Sequence, residues 1–175
     1  MNMKVIAVAV LAVVLSACST TKPTGEVTEE GAKLAKNFGK VEVVFSTFGE
    51  WQSIKSSASS SVPIEHDAGI EQAMNVATMR AKRNIVEFIQ SDVRSKKTTD
   101  TITDAMVEHN VSKEKASKLT SKMTESIVEE SAGIVRGAYI EDRRITDDGK
   151  NVTVSIIVDK RSLESSKKIR GLMNK

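Results

Sequence analysis

The chain is poor in the residues that most often build reactive centres, with one cysteine and two histidines among 175 residues. A single cysteine excludes an intramolecular disulfide and a metal centre built from several thiolates. The histidines, His66 and His109, lack the spacing of a ligand pair. His66 is interpreted instead as part of a solvated helix start. We therefore expect no metal site and no cofactor.

Aromatic side chains and glycine motifs are also scarce. One Trp, one Tyr and four Phe disfavour a sugar-binding groove, which normally presents exposed aromatics. The sequence has no Gly-x-Ser-x-Gly nucleophile turn and no phosphate-binding glycine loop. Asp142, Asp147 and Asp148 lack the EF-hand spacing and are interpreted as turn residues. We therefore predict that the chain has no catalytic residues and is not an enzyme.

The charges are nearly balanced. Lys and Arg number 26 and Asp and Glu number 23, which gives a formal net charge of +3. Nucleic-acid-binding proteins usually carry a concentrated basic footprint, so we expect no nucleic-acid partner. The basic residues near the C-terminus fit either anionic headgroups and cell-wall polymers or a solvated helix face, and we prefer the solvated face.

The longest apolar run lies at the N-terminus. Residues 5–14 are uninterrupted by charge, follow Lys4, and are too few to span a bilayer. Residues 15–18 (Leu-Ser-Ala-Cys) then end on the only cysteine. This arrangement resembles the bacterial lipobox, in which the cysteine thiol is acylated and the leader is cut before it. The alternative is an ordinary secretory leader followed by an unmodified cysteine.

The lipobox resemblance implies a domain organisation. Residues 1–17 are a lipoprotein signal peptide, residues 18–26 a lipidated tether with Pro23 and Gly25, and residues 27–175 a single periplasmic α+β domain. Acyl chains on Cys18 anchor the protein to the membrane, since each buried methylene contributes about 0.8 kcal/mol. Ser19 stands where an aspartate would favour inner-membrane retention. In a cell with two membranes we expect a lipid anchor in the outer membrane, with the domain facing the periplasm.

Hydrophobic periodicity and turn residues predict the elements of the domain. Asp67 is expected to cap a long helix with a stripe of alanines, and Thr101 to open a second helical region through capping-box spacing to Asp104. The serines of residues 51–62 leave a linker open as the alternative to a strand. The predicted elements are a brief helix at 29–37, strands at 40–48 and 51–62, a helix at 67–94, helical structure from 101 with a fresh start at 112, strands at 133–144 and 151–159 joined by a turn at 147–149, and a C-terminal helix from 159 or 162.

This order predicts an α+β fold. A small, mainly antiparallel sheet should carry the long helix packed on one face, with a second helical region and a C-terminal helix beside it. The alanines at 73, 77 and 81 should let the long helix lie close to the sheet.

Several segments, taken in order, resemble a known family. They are the lipobox at 15–18, the strand with Trp51, residues 71–73 (Glu-Gln-Ala) and 77–85 (Ala-Thr-Met-Arg-Ala-Lys-Arg-Asn-Ile), residues 135–137 (Val-Arg-Gly), and the alternating strand at 152–158. This pattern resembles the LPP-twenty-type bacterial surface lipoproteins, whose relatives include FlgP-like flagellar outer-membrane lipoproteins. The resemblance implies an α/β sandwich, no enzyme activity, and roles in surface attachment or flagellar support. The Lys/Ser/Thr-rich helix after Lys97 departs from the family, so the resemblance implies no specific partner.

Two functional hypotheses follow. The first is a non-catalytic envelope lipoprotein that contributes to an outer-membrane or flagellar-associated assembly, with a protein partner or a second copy of itself. The second is a periplasmic binding or regulatory module acting on a cell-wall or transport partner. We expect the partner surface at an accessible strand edge and on the helix that carries Lys113, Lys115, Lys118 and Lys122. The narrow apolar seam of that helix, at 116, 119, 123 and 127, could instead pack entirely within its own domain.

Overall fold

The computed structural model describes residues 31–64 and 66–173. The predicted signal peptide at 1–17, the tether at 18–26 and the lipidation site Cys18 lie outside the described residues. Among the helices that are described, none is long and apolar enough to cross a bilayer.

The described chain forms five strands and five helices. They are β1 (Lys33–Phe38), β2 (Val41–Ser46), β3 (Trp51–Ser61), α1 (Asp67–Glu87), α2 (Lys96–Glu108), α3 (Lys113–Glu129), α4 (Ser131–Gly137), β4 (Tyr139–Ile145), β5 (Asn151–Asp159) and α5 (Lys160–Met173), with a π-helical turn at Phe88–Asp92 after α1. The strands form one sheet in the order β1-β2-β3-β5-β4, and every neighbouring pair is antiparallel. The predicted α+β fold is confirmed.

The sheet buries one face and leaves the other open. Along β5 the even-numbered side chains Val152, Val154, Ile156 and Val158 are fully buried, as the period-2 pattern requires. Helix α1 contacts this face through β3 and β5. The buried side of α1 carries Ala73, Ala77, Ala81 and Ile85. Small side chains at four-residue spacing bring the helix backbone close to the strands, as the sequence predicts.

Helices α2 and α3 pack against each other beside the sheet. Buried Ile102 and Met106 of α2, with Met123 and Ile127 of α3, are part of the shared core. The apolar seam of α3 therefore packs within its own domain. Gly49 fits against this seam because a Cβ there would lie 2.6 Å from the Leu119 Cβ, and its φ of +78° suits glycine.

The helix predicted at 29–37 is wrong, because residues 33–38 form strand β1. Leu34 lies opposite Phe45 in the ladder with β2 and is 6% exposed. Ala and Lys in this segment favour a helix locally. Pairing with β2 and burial of Leu34 outweigh that preference.

The strand predicted at 133–144 is wrong in its first part. Residues 131–137 form α4, and β4 starts only at Tyr139. The helix buries Ile134 completely, and Gly133 and Gly137 allow it to approach Leu163 and the Ser162 backbone of α5. Packing on α5 therefore decides the structure of this segment.

Two predicted helix N-caps are also wrong. The N-cap of α1 is His66 rather than Asp67, since His66 Nδ1 accepts a hydrogen bond from the Ala68 N–H at 3.2 Å. Helix α2 begins at Lys96, where Ser95 Oγ caps the Thr98 N–H at 3.2 Å. Thr101 lies inside that helix. At the other end, α1 stops at Glu87 and a π-helical turn replaces its predicted extension to 94.

The turn of the hairpin and the start of the last helix are as predicted. Gly149 closes the turn with a φ of +69° and donates its N–H to the Thr146 carbonyl at 2.8 Å. Helix α5 follows Asp159, whose Oδ1 accepts the Ser162 N–H at 2.7 Å. This hydrogen bond, together with the Tyr139 hydroxyl, holds the pKa of Asp159 below its usual value.

The contact between α1 and the sheet can be tested with a pair of neighbouring substitutions. Ala81→Phe should cost about 1–3 kcal/mol, because Ala81 is fully buried and the added ring must force the helix from the strands. Thermal unfolding followed by circular dichroism should show a melting temperature several degrees lower. Lys82→Phe, on the half-exposed side, is the control and should melt near the wild type. Equal melting points for the two variants would contradict the assigned face.

Candidate functional site

The lysines predicted to form a partner surface do not all share one face of α3. All four are exposed. At about 100° of rotation per residue, Lys115, Lys118 and Lys122 lie within about 60° of one another around the axis. Lys113, the first residue of the helix, lies on the side of the buried Ala116. The structure brings three of the lysines together and separates the fourth.

This outer face of α3 carries charges of both signs. Lys118 Nζ lies 2.9 Å from Glu114 Oε1, one helical turn away, in a pair whose side chains are both largely exposed. By the same helical rotation, Glu125 and Glu129 lie on the same side as Lys122. Such a surface pair contributes little to stability. The outer face is therefore mixed in charge rather than strongly basic.

Of the two edge strands of the sheet, β1 and β4, β4 is protected against strand addition. Edge strand β4 has a bulge between Ile140 and Asp142 and presents exposed Arg143 and Arg144. Bulges and charges of this kind are the usual devices that block edge-to-edge pairing. We do not assign a contact role to this edge.

Strand β3 also has an edge that is partly free. Strand β2 pairs with it only as far as Ser56, so the rest of β3 has no strand partner on that side. Beyond that point, side chains of α1 satisfy the strand carbonyls. Arg80 Nη1 donates to the Ser59 carbonyl at 2.8 Å, and Asn84 Nδ2 donates to the Ser57 carbonyl at 3.4 Å. The cleft of about 570 Å³ beside them is therefore part of the capping of this edge.

A groove of about 490 Å³ lies where the C-terminal end of α1 faces the end of α3 and the start of α4. The α1 side and the α3–α4 side of the groove each contribute both aliphatic and polar residues. The aliphatic lining is Val86, Ile89, Val128, Ala132 and Val135, and the polar lining is Gln90, Arg94, Ser131 and Arg136. Concave sites with an apolar lining and a few polar groups are the usual form of small-molecule sites, typically about 300–1,000 Å³.

The π-helical turn shapes one wall of this groove. The Val93 N–H donates to the Phe88 carbonyl at 2.8 Å, an i to i+5 bond. Phe88 is buried, and its ring stacks on Phe38 of β1 with centroids 5.6 Å apart. Within the same turn Ile89 is buried and Gln90 is exposed. π-helical turns occur frequently at functional sites.

A polar cluster fixes the opposite wall, at the junction of α3 and α4. The Trp51 indole Nε1 donates to Glu130 Oε2 at 3.1 Å, and Lys167 Nζ donates to Glu130 Oε1 at 2.9 Å. Trp51 is 1% exposed, and Lys160 Nζ lies 5.5 Å from its ring centroid. These contacts join β3, the α3–α4 junction and α5, and so position α4.

The two histidines and Asp148 of the turn make local hydrogen bonds. His66 caps α1, and His109 Nδ1 lies 3.0 Å from the Ala105 carbonyl one turn earlier in α2. Asp148 accepts hydrogen bonds from the Thr146 hydroxyl and the Lys150 N–H, which lower the pKa of its carboxyl. Within residues 31–64 and 66–173, no three His, Cys, Asp or Glu residues form a group that could hold a metal ion.

Sequence reasoning missed the groove. The predicted helix at 67–94 ends at Arg94 and the predicted strand at 133–144 contains Arg136, and neither prediction brings the two arginines to one site. The groove joins residues about 40 positions apart on three elements, so no local motif marks it. Val135 and Arg136, neighbours on α4, both line the groove, but the pair forms no recognisable binding motif in the sequence.

Comparison with known proteins adds no relative. No protein-family model, no curated protein and no solved structure matches the chain. Membership of the lipoprotein family therefore stays a prediction from the motifs.

The polar cluster that positions α4 can be tested at Glu130. Glu130→Ala should cost about 1–3 kcal/mol, since it leaves the buried Trp51 N–H without its acceptor. Glu130→Gln keeps an acceptor oxygen for Trp51 and should cost less. Urea unfolding monitored by Trp51 fluorescence measures both. The control is Glu129→Ala at the neighbouring exposed position, and a Glu130→Ala variant as stable as this control would contradict the role of the cluster.

Proposed function

We propose that the chain is a non-catalytic bacterial envelope lipoprotein that contributes by contact to an outer-membrane or flagellar-associated assembly. The observation that carries this proposal is the lipobox-like end of the leader at residues 15–18. Acylated Cys18 anchors the chain in the outer membrane and leaves the domain in the periplasm. Two or more acyl chains make such an anchor stable. The resemblance to LPP-twenty-type lipoproteins supports the same assignment.

The outer face of α3 is the contact surface of this proposal. The inner face of α3 is fixed by the buried side chains Ala116, Met123 and Ile127, so the outer face has a defined orientation. Its neighbouring lysines and glutamates suit a protein partner, or a second copy of the chain, with complementary charges. Complementary charges mainly set specificity and association rate.

A periplasmic binding or regulatory module for a cell-wall or transport partner is the second candidate function. The groove between α1 and α4 favours it, because its aliphatic lining and two arginines are suited to a ligand. The two functions are compatible, since the groove and the outer face of α3 are different surfaces.

The lipid anchor can be tested at the cysteine. Cys18→Ala should abolish incorporation of a labelled fatty acid, because acylation needs the thiol, and should leave the chain uncleaved or soluble. Metabolic labelling followed by membrane fractionation measures both effects. Ser19→Ala is the adjacent control and should keep the label. Recovery of the label in the Cys18→Ala protein would contradict the anchor.

The contact surface can be tested by charge reversal on α3. Replacing Lys115, Lys118 and Lys122 with Glu should leave the circular dichroism spectrum unchanged, because all three side chains are exposed. It should weaken crosslinks to a partner or a second copy in intact cells. Lys113→Glu, on another side of the helix, is the control and should have a smaller effect. Crosslinks that survive the triple substitution would show that the contact lies elsewhere.

A further inference from the structure

We propose that the groove between α1 and α4 binds an anionic phospholipid, with an acyl chain along its aliphatic lining and the phosphate between Arg94 and Arg136. The inference rests on the membrane anchor of the proposed function and adds a specific ligand to it. It concerns a surface separate from the outer face of α3, so the two can fail independently.

The lining of the groove matches the two parts of such a ligand. Val86, Val128 and Val135 are each only partly buried by the protein, and Ala132 is exposed. Covering these groups with an acyl chain would remove apolar surface from water, which favours binding. The groove therefore offers a favourable site for an aliphatic chain.

The polar lining selects an anion. Arg94 and Arg136 are both exposed at the groove, and the salt bridges found among the described side chains include neither of them. Arg136 also lines an adjoining cleft with Glu129 and Glu130, and Glu130 already binds Trp51 and Lys167 there. Among the described residues that line the groove, none is acidic. Guanidinium groups bind phosphate oxygens through paired, charge-assisted hydrogen bonds.

The remaining polar groups suit the rest of a phospholipid headgroup. The Gln90 amide and the Ser131 hydroxyl line the groove with the arginines, and both can donate to ester or phosphate oxygens. Gln90 lies exposed in the π-helical turn, next to the buried Ile89. The π-helical turn therefore carries one of the polar residues that line the groove.

The position of the domain makes a membrane lipid the expected occupant. The described chain starts at Gly31, thirteen residues after Cys18. Even a fully extended segment of that length reaches at most about 45 Å. A domain anchored through Cys18 therefore stays close to a bilayer surface, where phospholipid is far more concentrated than any free amphiphile.

Photocrosslinking of the full acylated chain in vesicles tests the inference. The vesicles consist of phosphatidylcholine with a small fraction of phosphatidylglycerol that carries a diazirine on its acyl chain. A second set carries the same diazirine chain on phosphatidylcholine, so that only the headgroup charge differs. Peptide mapping by mass spectrometry should place the phosphatidylglycerol label on residues 86–94 and 128–136, several-fold above the phosphatidylcholine label.

Variants separate the two parts of the site. The double substitution Arg94→Gln and Arg136→Gln should reduce the phosphatidylglycerol label several-fold, to the phosphatidylcholine level. Arg143→Gln with Arg144→Gln removes the same charge from exposed β4 and should change nothing. Ala132→Phe should block the groove and reduce the label from both lipids.

Four outcomes would overturn the inference. They are equal labelling by the two headgroups, full labelling of the Arg94 and Arg136 variant, label confined to other segments, and label from free diazirine palmitate that phosphatidylglycerol does not displace. The last outcome would identify a fatty acid as the occupant. Protein that stays on the vesicles without label in the groove overturns this inference alone. Protein that does not stay on the vesicles overturns the anchor on which it rests.

Discussion

The close contact between α1 and the sheet is the constraint on which the rest of the structure depends. Ala73, Ala77 and Ala81 are all nearly or completely buried, so the α1 backbone lies directly over β3 and β5. Helix α1 ends at Glu87. The π-helical turn that follows buries Phe88 against Phe38 and leaves Gln90 at the groove.

The fold class could be predicted because its main signals are local. The alternation of Val152, Val154, Ile156 and Val158, the turn at 147–149 and the alanine stripe of α1 each specify an element without reference to distant residues. Segments whose structure depends on distant partners were predicted wrongly. Residues 33–38 become a strand only through the ladder with β2, and residues 131–137 become a helix through contacts with α5.

The candidate site was less predictable than the fold for the same physical reason. The lysines of α3 could be found because they follow one another on one helix, although helical rotation separates Lys113 from the others. The groove brings Arg94 and Arg136 together from elements separated by two helices. A local irregularity such as the π-helical turn also has no distinctive sequence pattern. Such sites emerge only when the packing of the whole domain is known.

We propose that this domain works by contact at a membrane. The mass of the native particle, extracted from membranes of the producing cells at natural abundance with a mild detergent, tests that claim most directly. Mass photometry, corrected for the detergent micelle, should give a particle clearly heavier than one acylated chain, containing either further copies or another envelope protein. A particle with the mass of a single acylated chain would contradict the account.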